Sequence, residues 1–229
     1  MLARNINDLP ANMHGHECKR YLDLLQARRG TLACKRALDA LLSALGLAVL
    51  LPLFLIVALL VGATSQGGVL FVQERIGQNM RPFHILKFRT MRPAKTGSAL
   101  ALTTKNDARI TAVGRILRKV HLDELPQLLN VLRGDMSIVG PRPEVPRYVS
   151  RYTDRYLATL LVPPGITCTS SIHFRNENDL LKDSVDAEKC YLDTILPAKM
   201  AYNLSYISDV RLSTDIKIVL RTAWTVFTG

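Results

Sequence analysis

The chain has no Cys-x-x-Cys pair, a single tryptophan, and 19 acidic residues against 30 lysines and arginines. Each shortage removes a class of protein. Cys18, Cys34, Cys168 and Cys190 are scattered and have no histidine partner at zinc spacing, so neither a disulfide scaffold nor a metal finger is indicated, and a reduced compartment fits. Aromatic residues make up 6% of the chain, too few to interleave with the basic ones as a stacking platform for nucleic acid requires. No internal repeat or low-complexity tract is present. His14 and His16 form a short His-Gly-His in a polar N-terminal stretch, where exposed side chains are the plain reading. The net charge of +11 on a chain that is 48% hydrophobic favours an anionic partner such as phospholipid, nucleic acid or nucleotide.

Charge is missing altogether from Ala40 to Ala63, a run of Leu, Val, Ile and Ala. As one straight helix it would be about 36 Å long, slightly more than the roughly 30 Å hydrocarbon layer, which reads as a single membrane span. Two features argue otherwise. Pro52, near the middle, removes a backbone donor and clashes with the carbonyl of Ala48, so a bend is expected there. Both flanks are basic, with Arg28, Arg29, Lys35 and Arg36 before the run and Arg75, Arg81, Lys87, Arg89 and Arg92 after it. The positive-inside tendency would keep both flanks on the cytoplasmic side. A helix that enters the membrane, turns at Pro52 and leaves by the same face satisfies both observations, and a straight span remains the alternative. A signal peptide does not fit, because the run starts too late, is too long and lacks a small-residue cleavage site.

After the run the composition becomes that of an ordinary soluble domain. Gln66-Gly67-Gly68 predicts a turn, Val69 to Val72 and Phe83 to Phe88 predict strands, and Leu122 to Leu132 predicts a short helix ending at Gly134. Helix is also expected over Pro146 to Leu161, before the Pro163-Pro164-Gly165 turn, and over Asp186 to Ser208 around a break at Pro197. Ile216, Val219, Leu220, Ala223, Trp224 and Phe227 recur at helical spacing, so Asp215 to Phe227 is an amphipathic helix suited either to a membrane interface or to core packing. Tyr21 to Arg29 is a weaker interfacial candidate.

Candidate chemistry concentrates between His121 and Glu144. Adjacent Asp123 and Glu124 repel each other unless a cation, a proton or a helix N-terminus relieves them. A divalent metal serving a phosphate substrate would do so. The plain alternative is a helix start before Pro126, with both residues capping free N–H groups. In Gly140-Pro141-Arg142-Pro143, two prolines stiffen the backbone around an arginine able to donate a bidentate pair to phosphate; an ordinary turn is the alternative. In Lys87-Phe88-Arg89-Thr90-Met91, alternation would place Lys87 and Arg89 on one face of a strand, or on a solvated basic edge.

Taken together, Lys87 to Met91, Leu122 to Leu132, Gly134 to Ser137 and Val139 to Pro143 resemble the motifs of the bacterial sugar transferases, the monotopic phosphoglycosyl transferases. Lys35-Arg36 with Asp39, Gln73 to Gly77, and Pro164-Gly165-Ile166-Thr167 extend the resemblance over roughly Lys35 to Phe227. The resemblance implies an α/β, mostly helical fold: a re-entrant membrane helix-break-helix at Pro52 plus a small cytoplasmic catalytic domain with interfacial amphipathic helices. The expected division is 1–34 as an N-terminal extension, 35–65 as the membrane element and 66–229 as the catalytic domain.

The same resemblance implies that Asp123 attacks the sugar-bearing phosphate of a UDP-sugar, that UMP leaves, and that polyprenyl (undecaprenyl) phosphate takes the phosphosugar from the aspartate. Glu124 would assist, Asp123 and Glu124 would hold Mg2+, and Arg142, Lys87 and Arg89 would hold nucleotide or phosphate charge. The expected location is the cytoplasmic face of a bacterial inner membrane, as the first step of a cell-surface glycan pathway. Membrane phospholipid is an implied partner, a homodimer is compatible, and no nucleic acid is expected. The competing readings are a nucleotide-sugar hydrolase and a membrane-anchored binding protein without turnover. Two segments depart from the family pattern. Leu51 stands before Pro52 where many relatives have serine, and Cys168-Thr169-Ser170-Ser171 leads into Ile172 to Asn176 where relatives often have glycine and a Trp-Gln pair.

Overall fold

A computed structural model describes residues 2–65, 67–93, 107–175, 177 and 186–228. Gln66 and Asn176, quoted above, lie outside the described residues, as does the side chain of Phe227. The chain is mostly helical, with two small sheets. It runs α1 (His16–Gln26), α2 (Arg29–Val49), α3 (Leu51–Thr64), β1 (Leu70–Ile76), β2 (Pro82–Phe88), α4 (Ala112–Lys119), α5 (Gln127–Arg133) and β3 (Ser137–Val139). The second half holds α6 (Pro146–Val149), α7 (Asp154–Leu157), β4 (Gly165–Thr167), α8 (Thr169–His173), α9 (Ala187–Cys190), α10 (Leu196–Ser208) and α11 (Leu212–Thr228).

The apolar run is a bent pair. Among the described residues no single helix is long and apolar enough to cross a membrane, and α2 and α3 meet that test only together, bent by 65°. The break falls at Leu50, two residues before the predicted Pro52, and the reason is local. Pro52 sits in the first turn of α3, where a missing N–H goes unnoticed. Carried on from α2 as one helix, the same residue would have left the Ala48 carbonyl without its donor. The outer faces of both arms are apolar and bare, with Leu59 75% exposed and Val49 67%.

The first half of α2 is different. Lys35, Asp39 and Ser43 recur every four residues and are all buried, so this stripe faces protein. Lys35 Nζ donates to Asp215 of α11 at 2.7 Å and lies 3.8 Å from Asp39. Asp39 in turn accepts from Ser137 Oγ at 2.6 Å and from the Ile138 N–H at 3.2 Å, both on β3. Tyr206 of α10 completes the set by donating to Asp215 at 2.8 Å. Four elements distant in sequence are thus tied by one buried polar network.

β1 and β2 form an antiparallel hairpin, Leu70 opposite Phe88 and Ile76 opposite Pro82, and β3 pairs with β4 in parallel. Phe83 and Ile85 of β2 pack with Val131 and Met136 beside α5, and Phe88 packs with Val57 and Val61 of α3 and Leu117 of α4. The largest apolar cluster lies elsewhere. Met13, Cys18, Leu22 and Leu25, near the N-terminus, are buried against Ala158, Leu161, Leu204 and Ile207. The described part of the expected extension, residues 2–34, therefore supplies a wall of the main core, and α1 buries the face that had suggested an interfacial helix. In α11 the reverse holds: the predicted stripe is on the outside, with Ile216, Leu220 and Trp224 exposed, while Asp215 and Ile218 point inward.

Candidate active site

His121 takes a left-handed conformation with φ 55°, and the chain then makes one tight 3-10 turn, Leu122–Glu124, before α5 starts. That turn carries Asp123 and Glu124. Its position is fixed from two sides. Asn130, on α5, accepts from the Leu86 N–H at 3.0 Å and donates to the His84 carbonyl at 2.8 Å, which docks the helix on β2. At the far end, Gly134 closes α5 with φ 96°, and Arg36 of α2 donates to the last carbonyls, those of Val131 and Leu132, at 2.5 and 2.9 Å.

Glu124 is the centre of a clamp. Lys87 Nζ from β2 donates to its Oε1 at 2.7 Å, and Arg142 Nη2 from the proline-flanked loop donates to the same oxygen. Its carboxyl pKa is held far below the usual range: burial opposes ionisation, but the charges of Arg142 and Lys87 overcome it. Asp123 has the opposite balance. Burial, and then the neighbouring Glu124 charge, push its pKa up, and the charges of Lys87 and Arg118 offset this only in part. Among the described residues no donor bonds its carboxylate, and no backbone N–H is capped by either acid. The helix-cap reading thus finds no hydrogen bond to support it.

The loop that carries Arg142 is stiffened from behind. Gly140 and Gly165 touch across the β3–β4 pair so closely that a Cβ on Gly165 would lie 2.1 Å from the Gly140 nitrogen. Arg142 Nη1 donates to the Ile166 carbonyl at 3.0 Å. Arg75 Nη1 donates to the Pro143 carbonyl at 3.1 Å and is itself held by Gln73, while the Ile76 N–H donates to the Glu144 carbonyl at 3.0 Å. The Gln73 to Gly77 segment therefore serves the loop. Beside Glu124 and Arg142 opens a cavity of about 300 Å3 between α5, α8 and α11.

For a magnesium ion the donor set can be weighed directly. Among the described residues no group of three His, Cys, Asp or Glu side chains gathers to hold a metal. Magnesium, however, is commonly held by one or two carboxylates plus substrate phosphates. Asp123, buried and without a described donor, has the uncancelled charge such an ion would meet, with Glu124 next to it. The residues fit an ion completed by substrate, not a closed protein cage.

Residues 30–229 match the bacterial sugar transferase family. The chain belongs to that family. It is 39% identical over 198 residues to the UDP-glucose:undecaprenyl-phosphate glucose-1-phosphate transferase of Caulobacter vibrioides, covering 85% of this chain and 70% of that one. It is 36% identical over 197 residues to the Escherichia coli protein of the same name, covering 84% of this chain and 40% of that one. It is 35% identical over 199 residues to a UDP-N-acetylgalactosamine-undecaprenyl-phosphate N-acetylgalactosaminephosphotransferase of Aeromonas hydrophila, covering 85% and 44%. The chain thus spans less than half of the latter two.

In this sugar transferase, Asp123, Glu124, Lys87 and Arg142 come together as the sequence placed them in prospect, but Arg89 does not join them. β2 ends at Phe88, alternation stops, and the Arg89 guanidinium donates to the Gly68 and Leu70 carbonyls at 3.0 Å each. Arg118 was not foreseen. It bonds Thr90 Oγ1 at 2.8 Å, and the Asp123 charge is the leading influence that opposes the lowering of its pKa by burial. The Lys87 to Met91 motif thus serves through Thr90, which orients a cation near Asp123, as well as through Lys87. Nothing in the order of residues marks Arg118, because it sits in a run of basic residues on α4 that reads as a solvated face.

Proposed function

We propose that the protein transfers a sugar 1-phosphate from a UDP-sugar to polyprenyl (undecaprenyl) phosphate through a covalent aspartyl-phosphosugar. The observation that carries this reading is a buried carboxylate, Asp123, left without a described donor beside the Lys87–Glu124–Arg142 clamp. In the first step an Asp123 oxygen attacks the sugar-bearing phosphorus, the bond from that phosphorus to the bridging oxygen breaks, and UMP departs with the electron pair. In the second, an oxygen of the polyprenyl phosphate attacks the same phosphorus and the Asp123 carboxylate is released as the leaving group. The product is a lipid-linked sugar diphosphate. Such a product begins a cell-surface glycan.

The roles follow from charge. Arg142 and Lys87 hold Glu124 ionised and present positive charge where phosphate oxygens would approach. Burial keeps water from competing as acceptor. Magnesium, held by Asp123 and Glu124 with the substrate's phosphates, would neutralise oxygens at the reacting phosphorus and stabilise the leaving group. The relatives' names carry the same substrate classes, a UDP-sugar and undecaprenyl phosphate.

The bent pair favours a re-entrant placement. Taking 35–65 as a membrane element that enters and leaves on the cytoplasmic face of the bacterial inner membrane accounts for the bare apolar arms and for basic residues on both flanks. Residues 66–229 then form the catalytic domain, and the outward Ile216, Leu220 and Trp224 of α11 lie among phospholipid headgroups.

The test is UMP release from a panel of UDP-sugars by detergent-solubilised protein with magnesium, with and without polyprenyl phosphate, for wild type and Asp123→Asn. Acceptor-dependent release with a lipid-linked sugar product, abolished by the substitution, is expected. Release without acceptor dependence indicates a hydrolase, and equal activity in Asp123→Asn refutes the covalent mechanism.

A further inference from the structure

The cavity of about 300 Å3 beside Glu124 and Arg142 is not explained by the clamp. Leu125 and Leu128 of the α5 region, Ile138, Ile166, Ile172 of α8 and Val226 of α11 supply its walls. The side-chain hydroxyls of Thr167 and Thr222, also in the lining, lie 2.6 Å apart and satisfy each other, so they add little polarity to the space. The described lining holds no Phe, Tyr or Trp, the large rings a nucleotide pocket commonly offers for stacking, and its ring is the imidazole of His121. The lining charges are mainly cationic, Arg142 and Arg175, with Glu124 already neutralised by Lys87 and Arg142. An apolar body with an anionic head matches that lining.

The surroundings say where such a molecule comes from. Leu128 lies against α2 at Gly46, where an added Cβ would be 3.3 Å from its Cδ1, four residues before the bend. On the other side the cavity is bounded by α11, whose outer face is the exposed Leu220 and Trp224. The pocket is therefore walled by α11 and backed, through Leu128, by α2, the two elements that carry bare apolar surfaces. We infer that it holds the first isoprene units of the polyprenyl phosphate acceptor, with the phosphate drawn to Arg142 and Arg175. This rests on the transferase reading above and adds to it a place for the acceptor. It also gives a role to the segment that departs from the family pattern: Ile172 and Arg175, both in that segment, are selectivity residues for the acceptor.

The probe is geranylgeranyl phosphate with a diazirine on the isoprene next to the phosphate, photolysed with the full-length protein in detergent and mapped by peptide mass spectrometry. Labelling of peptides from α5, α8 and α11 is expected, suppressed by excess polyprenyl phosphate and unaffected by UDP-sugar. Ile172→Trp, which fills the cavity, and Arg175→Ala, an exposed site that carries no folding risk, should each cut that labelling and raise the KM for polyprenyl phosphate by about tenfold, with the KM for UDP-sugar within about twofold of wild type. Labelling confined to other peptides overturns the inference. So does suppression by UDP-sugar, or a rise in the UDP-sugar KM instead, since the cavity would then be the donor site. Because labelling is read without turnover, labelling without any transfer activity counts against the transferase reading alone, and transfer without labelling of these elements counts against the cavity alone.

Discussion

Replacing Lys35 with methionine isolates the network that joins the bent pair to the rest of the molecule. Methionine keeps most of the apolar stem, so the change is chiefly the loss of one buried cation between two buried carboxylates, Asp215 at 2.7 Å and Asp39 at 3.8 Å. Removing one partner of a buried ion pair costs about 3–5 kcal/mol, because the remaining charge stays out of water without compensation. Here the low end applies. Asp39 keeps its donors Ser137 and Ile138, and Asp215 keeps Tyr206. A loss of about 3 kcal/mol corresponds to a fall in Tm of roughly 6–12 °C for a domain of this size. Asp215→Asn alone should cost less, about 1–2 kcal/mol, since Lys35 retains Asp39. Added to Lys35→Met, it removes one of the stranded charges, so the double variant should be more stable than the sum of single losses predicts, by about 1–3 kcal/mol. Unfolding can be followed with a fluorogenic maleimide that reports exposure of the buried Cys18 and Cys168, in a background where Cys34 and Cys190 are serine. Cys18 is a suitable reporter because burial and the nearby Asp154 push its thiol up to about 12, leaving it unreactive until the fold opens. A Tm for Lys35→Met within about 2 °C of the parent, or strict additivity in the double variant, would refute the reasoning.

The other predictions concern the site. Gly165→Ala should destabilise by about 3 kcal/mol or more and abolish activity, because its Cβ would meet the Gly140 backbone and spread β3 from β4, whereas Gly30→Ala, which meets nothing within 4 Å on α2, should leave activity intact and stabilise by about 0.5–1 kcal/mol. Thermal melts with activity on the same samples check both. Asp123→Asn should raise Tm in metal-free buffer at neutral pH while removing turnover. The wild-type carboxyl titrates higher in the fold than in the unfolded chain, so its ionisation destabilises the fold at high pH. The gain from asparagine should therefore shrink as pH falls through the folded pKa and vanish below the ordinary aspartate range, and a gain that grows on acidification would contradict the assigned direction. Asn130→Ala should cost about 2–3 kcal/mol and lower kcat, since the Leu86 N–H and the His84 carbonyl both lose a buried partner; amide exchange at Leu86 unchanged from wild type would count against it.

Much of the local structure was legible because its causes are local. The hairpin strands, the helix closed by Gly134, the bend near Pro52 and the amphipathic last helix each follow from residues within a turn of one another. Side-chain partnerships were less so. Lys35 and Asp215 are drawn together only by the fold, and nothing in either neighbourhood names the other. Periodicity also proved silent on direction: the stripe from Ile216 to Trp224 was found correctly, yet only the fold shows that it faces out while α1, with a similar pattern, faces in. Lys87, Glu124 and Arg142 are chemically apt but ambiguous in the sequence, and the family resemblance is what marks them; Arg89 separates from them because β2 stops one residue earlier than the alternation needs.

The way α2 divides its length has a practical consequence for anyone wishing to handle this protein without lipid. Its opening turns, through Ser43, are tied to the rest of the protein: they lend Lys35 and Asp39 to the interior and Arg36 to the end of α5. A cut placed at residue 35, where the membrane element is expected to begin, would remove those ties and leave Asp215 and the α5 carbonyls without their cations. An excision that begins after Ser43 and rejoins near the start of β1 takes away most of the greasy surface and keeps the ties, so solubilising designs should treat the helix as two objects with their seam inside it.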